Sequence, residues 1–208
     1  MTGESCGERL HALLAQAGQP PLTAAQTDAF ISYLSLILRW NVRTNLTAVR
    51  DEESILSRHF LECIACARAL PLSVKRLLDF GSGAGLPGIP IALCRPEIAV
   101  TLAESQGKKA AFLQEVGRTL GLNVTVHSSR AESLPATFDL VVLRAVDKMQ
   151  QAVAAAAQLV VSGGWLALMT TQTDLAQLQT SAGEAFSWEL PVPLPGSDQR
   201  ILSLGRKL

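Results

Sequence analysis

A short apolar run, Leu77-Leu78-Asp79-Phe80, gives way to Gly81-Ser82-Gly83-Ala84-Gly85-Leu86-Pro87-Gly88, and nothing else in the chain restricts the fold so strongly. A strand that stops on alternating glycines must bend sharply and bare its backbone, because glycine lacks the Cβ that blocks both. A helix leaving such a turn points its N-terminal amides at whatever the turn cradles. Pro87 and Pro90 suit that helix only within its first turn. The stretch predicts strand, ligand-binding loop and helix, the opening of a nucleotide-binding βα unit.

The chain beyond Pro90 repeats that unit. Ile98 to Ala103 reads as a second strand and Lys108 to Leu120 as a helix, with Asn123 to His127 alternating as a third strand. Phe138 to Leu143 is an apolar run broken only by Asp139, suited to a buried parallel strand. Met149 to Val161 reads as helix and Trp165 to Met169 as a fifth strand after Gly163-Gly164. A helix near Leu175 to Ala185 and a closing pair, Phe186 to Val192 and Ile201 to Leu204, complete the set. Repeated βα units imply right-handed crossovers and helices on both faces of the sheet. The expected class is α/β: a Rossmann-like, mostly parallel, seven-stranded sheet.

The first seventy residues read differently. Phe30, Leu34, Ile37 and Leu38 recur at helical spacing behind a candidate cap, Thr23, and Arg39 to Leu46 reads as the helix's polar exit. Asp51 to Leu70 is a second helix with Ile55, Leu56, His59, Phe60 and Cys63 on one face, ended by Pro71. The expected division is a helical extension over 1–70 and a ligand-binding domain over 71–208, a reasonable load for 208 residues.

Eighteen basic residues balance eighteen acidic ones. That neutrality argues against a protein that coats nucleic acid, so any RNA contact must come from a local patch. Glu4, Glu8 and Arg9 interrupt the start of the chain, so no secretory leader is expected, and apolar stretches such as Ala152 to Val161 fall short of a membrane span. A cytoplasmic monomer is the default expectation. Cys63 and Cys66 form a C-x-x-C, but no second pair or histidine cluster completes a zinc site, so they read as buried thiols and no metal is expected.

Gly83, Gly85 and Gly88 form a literal G-x-G-x-x-G, which serves a nicotinamide enzyme as readily as a methyltransferase. Asp79 extends the pattern to D-x-G-x-G-x-G, which resembles the first motif of S-adenosylmethionine methyltransferases, whose acidic residue lies near the methionine amino end. Glu104 ends the second strand, where a carboxylate accepts both ribose hydroxyls of an adenosine, though a dinucleotide enzyme wants the same. An oxidoreductase would need a substrate domain, and only a short tail follows the fifth strand.

More specifically, the chain resembles the bacterial guanine-N7 methyltransferases of small-subunit ribosomal RNA, the glucose-inhibited division protein B family. The marks are Asn45-Leu46-Thr47, His59-Phe60-Leu61, the loop from Asp79 to Pro90, Lys108-Lys109 with Phe112-Leu113, Arg130-Ala131-Glu132 and Arg144-Ala145. The resemblance implies a class I S-adenosylmethionine-dependent methyltransferase fold and a cofactor site of Asp79, Gly81, Gly83, Gly85, Leu86 and Glu104. It also puts Ala131 and Glu132 beside the adenine and Arg144 in the reaction pocket. The implied substrate is a guanine near the decoding centre of 16S RNA, nucleotide 527, presented on the RNA or the small subunit. Arg43, Arg58, Lys108, Lys109, Arg130 and Lys148 are the candidate RNA-binding rim.

Guanine N7 keeps a lone pair in the neutral base, so the transfer needs alignment rather than a general base. Two departures stand out. Glu62-Cys63 replaces the family's usual Asp-Ser, and Met169-Thr170 stands where Lys-Gly is common. The second motivates one rival reading, an RNA-binding module without turnover; against another, a methyltransferase of a small molecule or protein, only the family resemblance speaks.

Overall fold

Two capping boxes start the first helices: Ser5 with Glu8 opens α1 (Cys6–Gln16) and Thr23 with Gln26 opens α2 (Ala24–Thr44). Helix α2 runs through the segment expected as its polar exit and stops at Asn45 in the left-handed conformation. The computed structural model describes residues 5–208; Glu4, one of the charges that speak against a leader, lies outside the described residues. The second expected helix is a composite of α3 (Glu52–Ile55), a π-helical turn (Leu56–Phe60) and α4 (Leu61–Ala69). It ends at Leu70, one residue before Pro71 as expected.

The strand–helix alternation runs through β1 (Arg76–Phe80), α5 (Gly88–Cys94), β2 (Ala99–Ala103), α6 (Gly107–Thr119), β3 (Val124–His127) and β4 (Phe138–Arg144). Next come α7 (Met149–Gln158), β5 (Val160–Thr171), α8 (Gln172–Ala182), β6 (Phe186–Trp188), β7 (Val192–Pro193) and β8 (Arg200–Lys207). Strand β5 is longer than expected and takes up the last residues assigned to α7. The sheet order is β3-β2-β1-β4-β5-β8-β6, with the two-residue β7 pairing with β8. Seven strands thus lie on the path and an eighth, very short one beside it. Strands β1 to β5 are parallel, and β8 runs antiparallel between β5 and β6.

Alternate residues of one strand serve opposite faces. Leu77 belongs to a buried cluster with Leu140, Ala167, Phe112 and the aromatic residues of α2 and the π turn; Leu78 belongs to a second cluster with Val141, Leu166, Val153 and Leu178. The N-terminal helices, α5 and α6 therefore cover one face, and α7 and α8 the other. Tyr33 stacks on Phe60 with centroids 5.3 Å apart and Phe30 tilts against the same ring at 5.1 Å. Such pairs add about 0.5–1.5 kcal/mol beyond area burial. The four cysteines are free, Cys63 and Cys66 fully buried, and burial pushes the Cys63 thiol up to about 12. Among the described residues no group of His, Cys, Asp or Glu is arranged to hold a metal, and no helix is long and apolar enough to cross a membrane.

Candidate active site

Strand β1 leads to β2 on one side and lies beside β4 on the other, so the chain's direction of winding reverses between β1 and β4. In open α/β sheets ligands bind outside the carboxyl ends of the strands at that point. Here the glycine loop leaves β1. Gly81 and Gly85 both hold positive φ, +73° and +86°. A Cβ on Gly81 would meet both methyls of Val146 at 3.2 Å, and one on Gly85 would meet Ile89, Leu113 and the Tyr33 hydroxyl. The Tyr33 hydroxyl donates to the Ala84 carbonyl at 2.5 Å. Helix α2 thereby ties the N-terminal cap to the loop.

Asp79 sits behind the loop, almost fully buried, and accepts the Gly88 amide at 3.0 Å. The first amide of α5 is therefore satisfied internally. Burial raises the Asp79 carboxyl to about 7, against the opposing pull of that amide. It lines neither of the cleft's two hollows. Gly88 is required for packing, since a Cβ there would fall 2.6 Å from the Asp79 carboxylate.

Glu104 stands at the centre of the cleft. Its two oxygens accept the Gly83 amide at 2.9 Å and the Gln106 amide at 2.7 Å, and the residue borders both hollows. One hollow, about 280 Å³, lies between Phe80, Ala103, Ala131, Glu132 and Val146, with Arg130 and Lys148 on its border. The other, about 420 Å³, lies between Thr47, His59, Leu86, Lys109 and Arg144. Gly81, Glu104, Ser105, Val146 and Asp147 are common to both. The segment after β4 that separates them holds Ala145 and Lys148 at φ +51° and +50°, an unusual conformation for residues with a Cβ.

Arg144 ends β4 with only 10% of its side chain exposed. Its Nη2 donates to Glu62 Oε2 at 3.0 Å, to His59 Nδ1 at 2.8 Å and to the Arg58 carbonyl at 3.3 Å. A guanidinium only donates, so His59 Nδ1 is an acceptor and the ring proton sits on Nε2, donated to Thr47 Oγ1 at 3.0 Å. Burial first, and the Arg144 charge second, lower His59 to about 4. It is a neutral ring with both nitrogens engaged. Thr47 is fixed in turn by the buried Asn41, which bonds the main chain of Thr47 and Val49.

Of the expected basic rim, Arg58, Lys109, Arg130 and Lys148 border these hollows or the one beyond Arg144. Arg43, in the last turn of α2, and the exposed Lys108 border none of them. Met169 and Thr170 are buried at the end of β5 and border a hollow of about 410 Å³ between α7 and α8 that Lys148 and Arg200 also line. Two side chains were missed from sequence as parts of the site. Glu62 read as a departure from a motif, and Arg200, facing Glu62 at 3.7 Å from β8, carried no local signal.

Comparisons with known proteins agree with this geometry. A sheet of the same architecture recurs in a SAM-dependent methyltransferase from Aquifex aeolicus, with a TM-score of 0.59, 15% identity and coverage of 74% of this chain and 93% of that one. It recurs also in a 16S rRNA N2 G1207 methyltransferase of Thermus thermophilus, with a TM-score of 0.56, 20% identity and coverage of 72% and 39%. The fold is that of the class I S-adenosylmethionine-dependent methyltransferases. More closely, the family model described as rRNA small subunit methyltransferase G matches residues 26–191. The Ribosomal RNA small subunit methyltransferase G of Xanthomonas euvesicatoria is 40% identical over 193 residues, 89% of each chain. That of Xylella fastidiosa strain 9a5c is 46% identical over 142 residues, 67% of this chain and 66% of its own. The chain belongs to the rRNA small subunit methyltransferase G family.

Proposed function

We propose that this protein transfers a methyl group from S-adenosylmethionine to N7 of a guanine in 16S ribosomal RNA, nucleotide 527. Family membership supports the substrate class. The observation that carries the choice of atom is the engagement of His59: with Nδ1 accepting from Arg144 and Nε2 donating to Thr47, the site's histidine has no lone pair to take a proton. Guanine N7 needs none removed, whereas an exocyclic amine would have to lose one.

The cleft residues fit the cofactor. Bare backbone at Gly81, a carboxylate at Glu104 between two hollows and an apolar wall at Val146 suit a nucleoside at one end and an amino acid at the other. Ala131 and Glu132 would flank the adenine, Glu104 the ribose hydroxyls, and Gly81, Gly83 and Leu86 the methionine end. Gly85 and Asp79 act behind the loop, holding its shape. The bound sulfonium supplies an electrophilic methyl. Arg144 orients the target base at the mouth of the methionine-side hollow, while Leu86 and Val146 keep water from it. Arg58, Lys109, Arg130 and Lys148 steer the RNA backbone, and Arg43 and Lys108 add charge farther out. The same substrate sets a cytoplasmic location.

Isothermal titration with S-adenosylmethionine tests the cofactor assignment. The wild type should bind. G81A, which forces a Cβ into Val146 from a left-handed backbone, should weaken binding by about tenfold or more. Equal affinity in the two proteins would contradict the placement of the loop against the cofactor.

A further inference from the structure

Past Arg144 the methionine-side hollow adjoins a further chamber of about 460 Å³, and His59, Arg144 and Ala145 line both. Its walls come from three distant segments: the π turn and α4 with Arg58 and Glu62, the end of β4, and the turn into β8 with Gly196 and Ser197 followed by Arg200 at the start of that strand. Gly196 makes this closeness possible, because a Cβ there would lie 2.8 Å from the Ser57 carbonyl.

The polar groups of the chamber are incompletely used. Glu62 Oε2 faces both Arg144 and Arg200, at 3.0 and 3.7 Å, and among the described residues no donor reaches Oε1. The Nε atoms of Arg144 and Arg200 are buried without partners. Fold stability alone does not explain such a cluster, since a buried ion pair is commonly no better than apolar residues of the same size. A free carboxylate oxygen and two guanidinium groups with unpartnered N–H round one chamber point to a ligand that carries both kinds of group. A phosphate carries acceptors only and would face the Glu62 carboxylate. The Watson–Crick edge of guanine carries both: N1–H and the 2-amino group donate, and O6 accepts. Adenine would turn its N1 lone pair on the carboxylate.

Resting on the guanine-N7 reading of the site, we propose that Glu62 and Arg144 together select the target base. Glu62 accepts from N1–H and the 2-amino group, and Arg144 donates to O6, the acceptor beside N7 on the Hoogsteen edge of the base. Glu62 is thus a specificity-determining residue, and the chamber beyond Arg144 is the base subsite.

Inosine is the decisive probe, because it keeps N7, O6 and N1–H and lacks only the 2-amino group. The test uses 16S RNA carrying guanosine or inosine at the target position, naked and in reconstituted small subunits. Two quantities are read: binding, by fluorescence anisotropy of end-labelled RNA, and tritiated methyl transfer. The wild type should bind and methylate the guanosine RNA about 10- to 100-fold better than the inosine RNA. In E62Q the amide turns its oxygen to Arg144 and its NH2 to the base, so the preference should fall to about twofold or less. E62D, which keeps the carboxylate, should retain the preference. Equal use of the two RNAs by the wild type would overturn the proposal. So would an E62Q variant that loses activity on both RNAs equally, since Glu62 would then only hold Arg144. If E62Q fails to fold, the wild-type ratio still decides. No transfer to the guanosine RNA in either form would overturn the guanine-N7 reading itself, and this proposal with it.

Discussion

His59, Arg144 and Glu62 form one polar chain in which each group settles the state of the next. Arg144 can only donate, which fixes the His59 tautomer, and the Glu62 carboxylate balances a guanidinium held largely out of water. The unfolded chain binds a proton at His59 near pH 6.5, and the folded chain refuses it until about pH 4. The stability due to the neutral ring is therefore complete above pH 6.5 and is lost as the pH falls toward 4. Long-range ¹H–¹⁵N spectra of the imidazole should find an Nε2–H tautomer that persists well below pH 6. A midpoint near 6.5 would contradict the burial of the ring beside Arg144. None of this was legible in the sequence. His59 reads there as a core histidine on a helix face, which is half of what it is. Its partner Arg144 lies 85 residues away and Glu62 lies 82 residues from that arginine. Only the fold brings such pairs together.

The glycine loop was legible as an element because its constraint is local: a strand, bare backbone, a helix start. The roles of individual residues were not. Asp79 fits a cofactor motif by spacing, yet its carboxylate holds the Gly88 amide behind the loop. Gly88 matches a phosphate-binding fingerprint, yet it is needed because Asp79 and Leu102 leave no room for a Cβ. G88A should therefore overpack the α5 start and cost about 1–3 kcal/mol. A lowered urea midpoint with an unchanged m-value would show it, and a neutral result would contradict the packing described. The π turn at Leu56–Phe60 was invisible for a different reason, since one extra residue in a helical turn leaves the apolar pattern almost intact. That turn supplies Arg58, His59 and the Ser57 carbonyl against which Gly196 packs.

Across the whole molecule, the strand–helix alternation set the architecture from sequence alone, down to the closing antiparallel strands. The union of cap and sheet was not readable there. Helices α1 to α4 share one buried cluster with the sheet, and Tyr33 bonds directly to the glycine loop. Zero net charge with basic residues gathered at the cleft implies RNA binding of modest strength and clear salt dependence. If Arg130 and Lys148 each meet a phosphate, R130A and K148A should each lower the slope of log affinity against log salt by about 0.7 to 0.9. Filter binding across a salt series measures this, and unchanged slopes would remove these two residues from the interface.

Methyl transfer to guanine N7 in the small-subunit RNA leaves a mark that can be read chemically. Ribosomal RNA is taken from cells lacking this gene and from cells in which it is restored, and N7-methylguanine is mapped by borohydride reduction and aniline cleavage. One cleavage in 16S RNA, at nucleotide 527, should disappear without the gene and return with it. A cleavage pattern identical in the two RNAs would contradict the assignment.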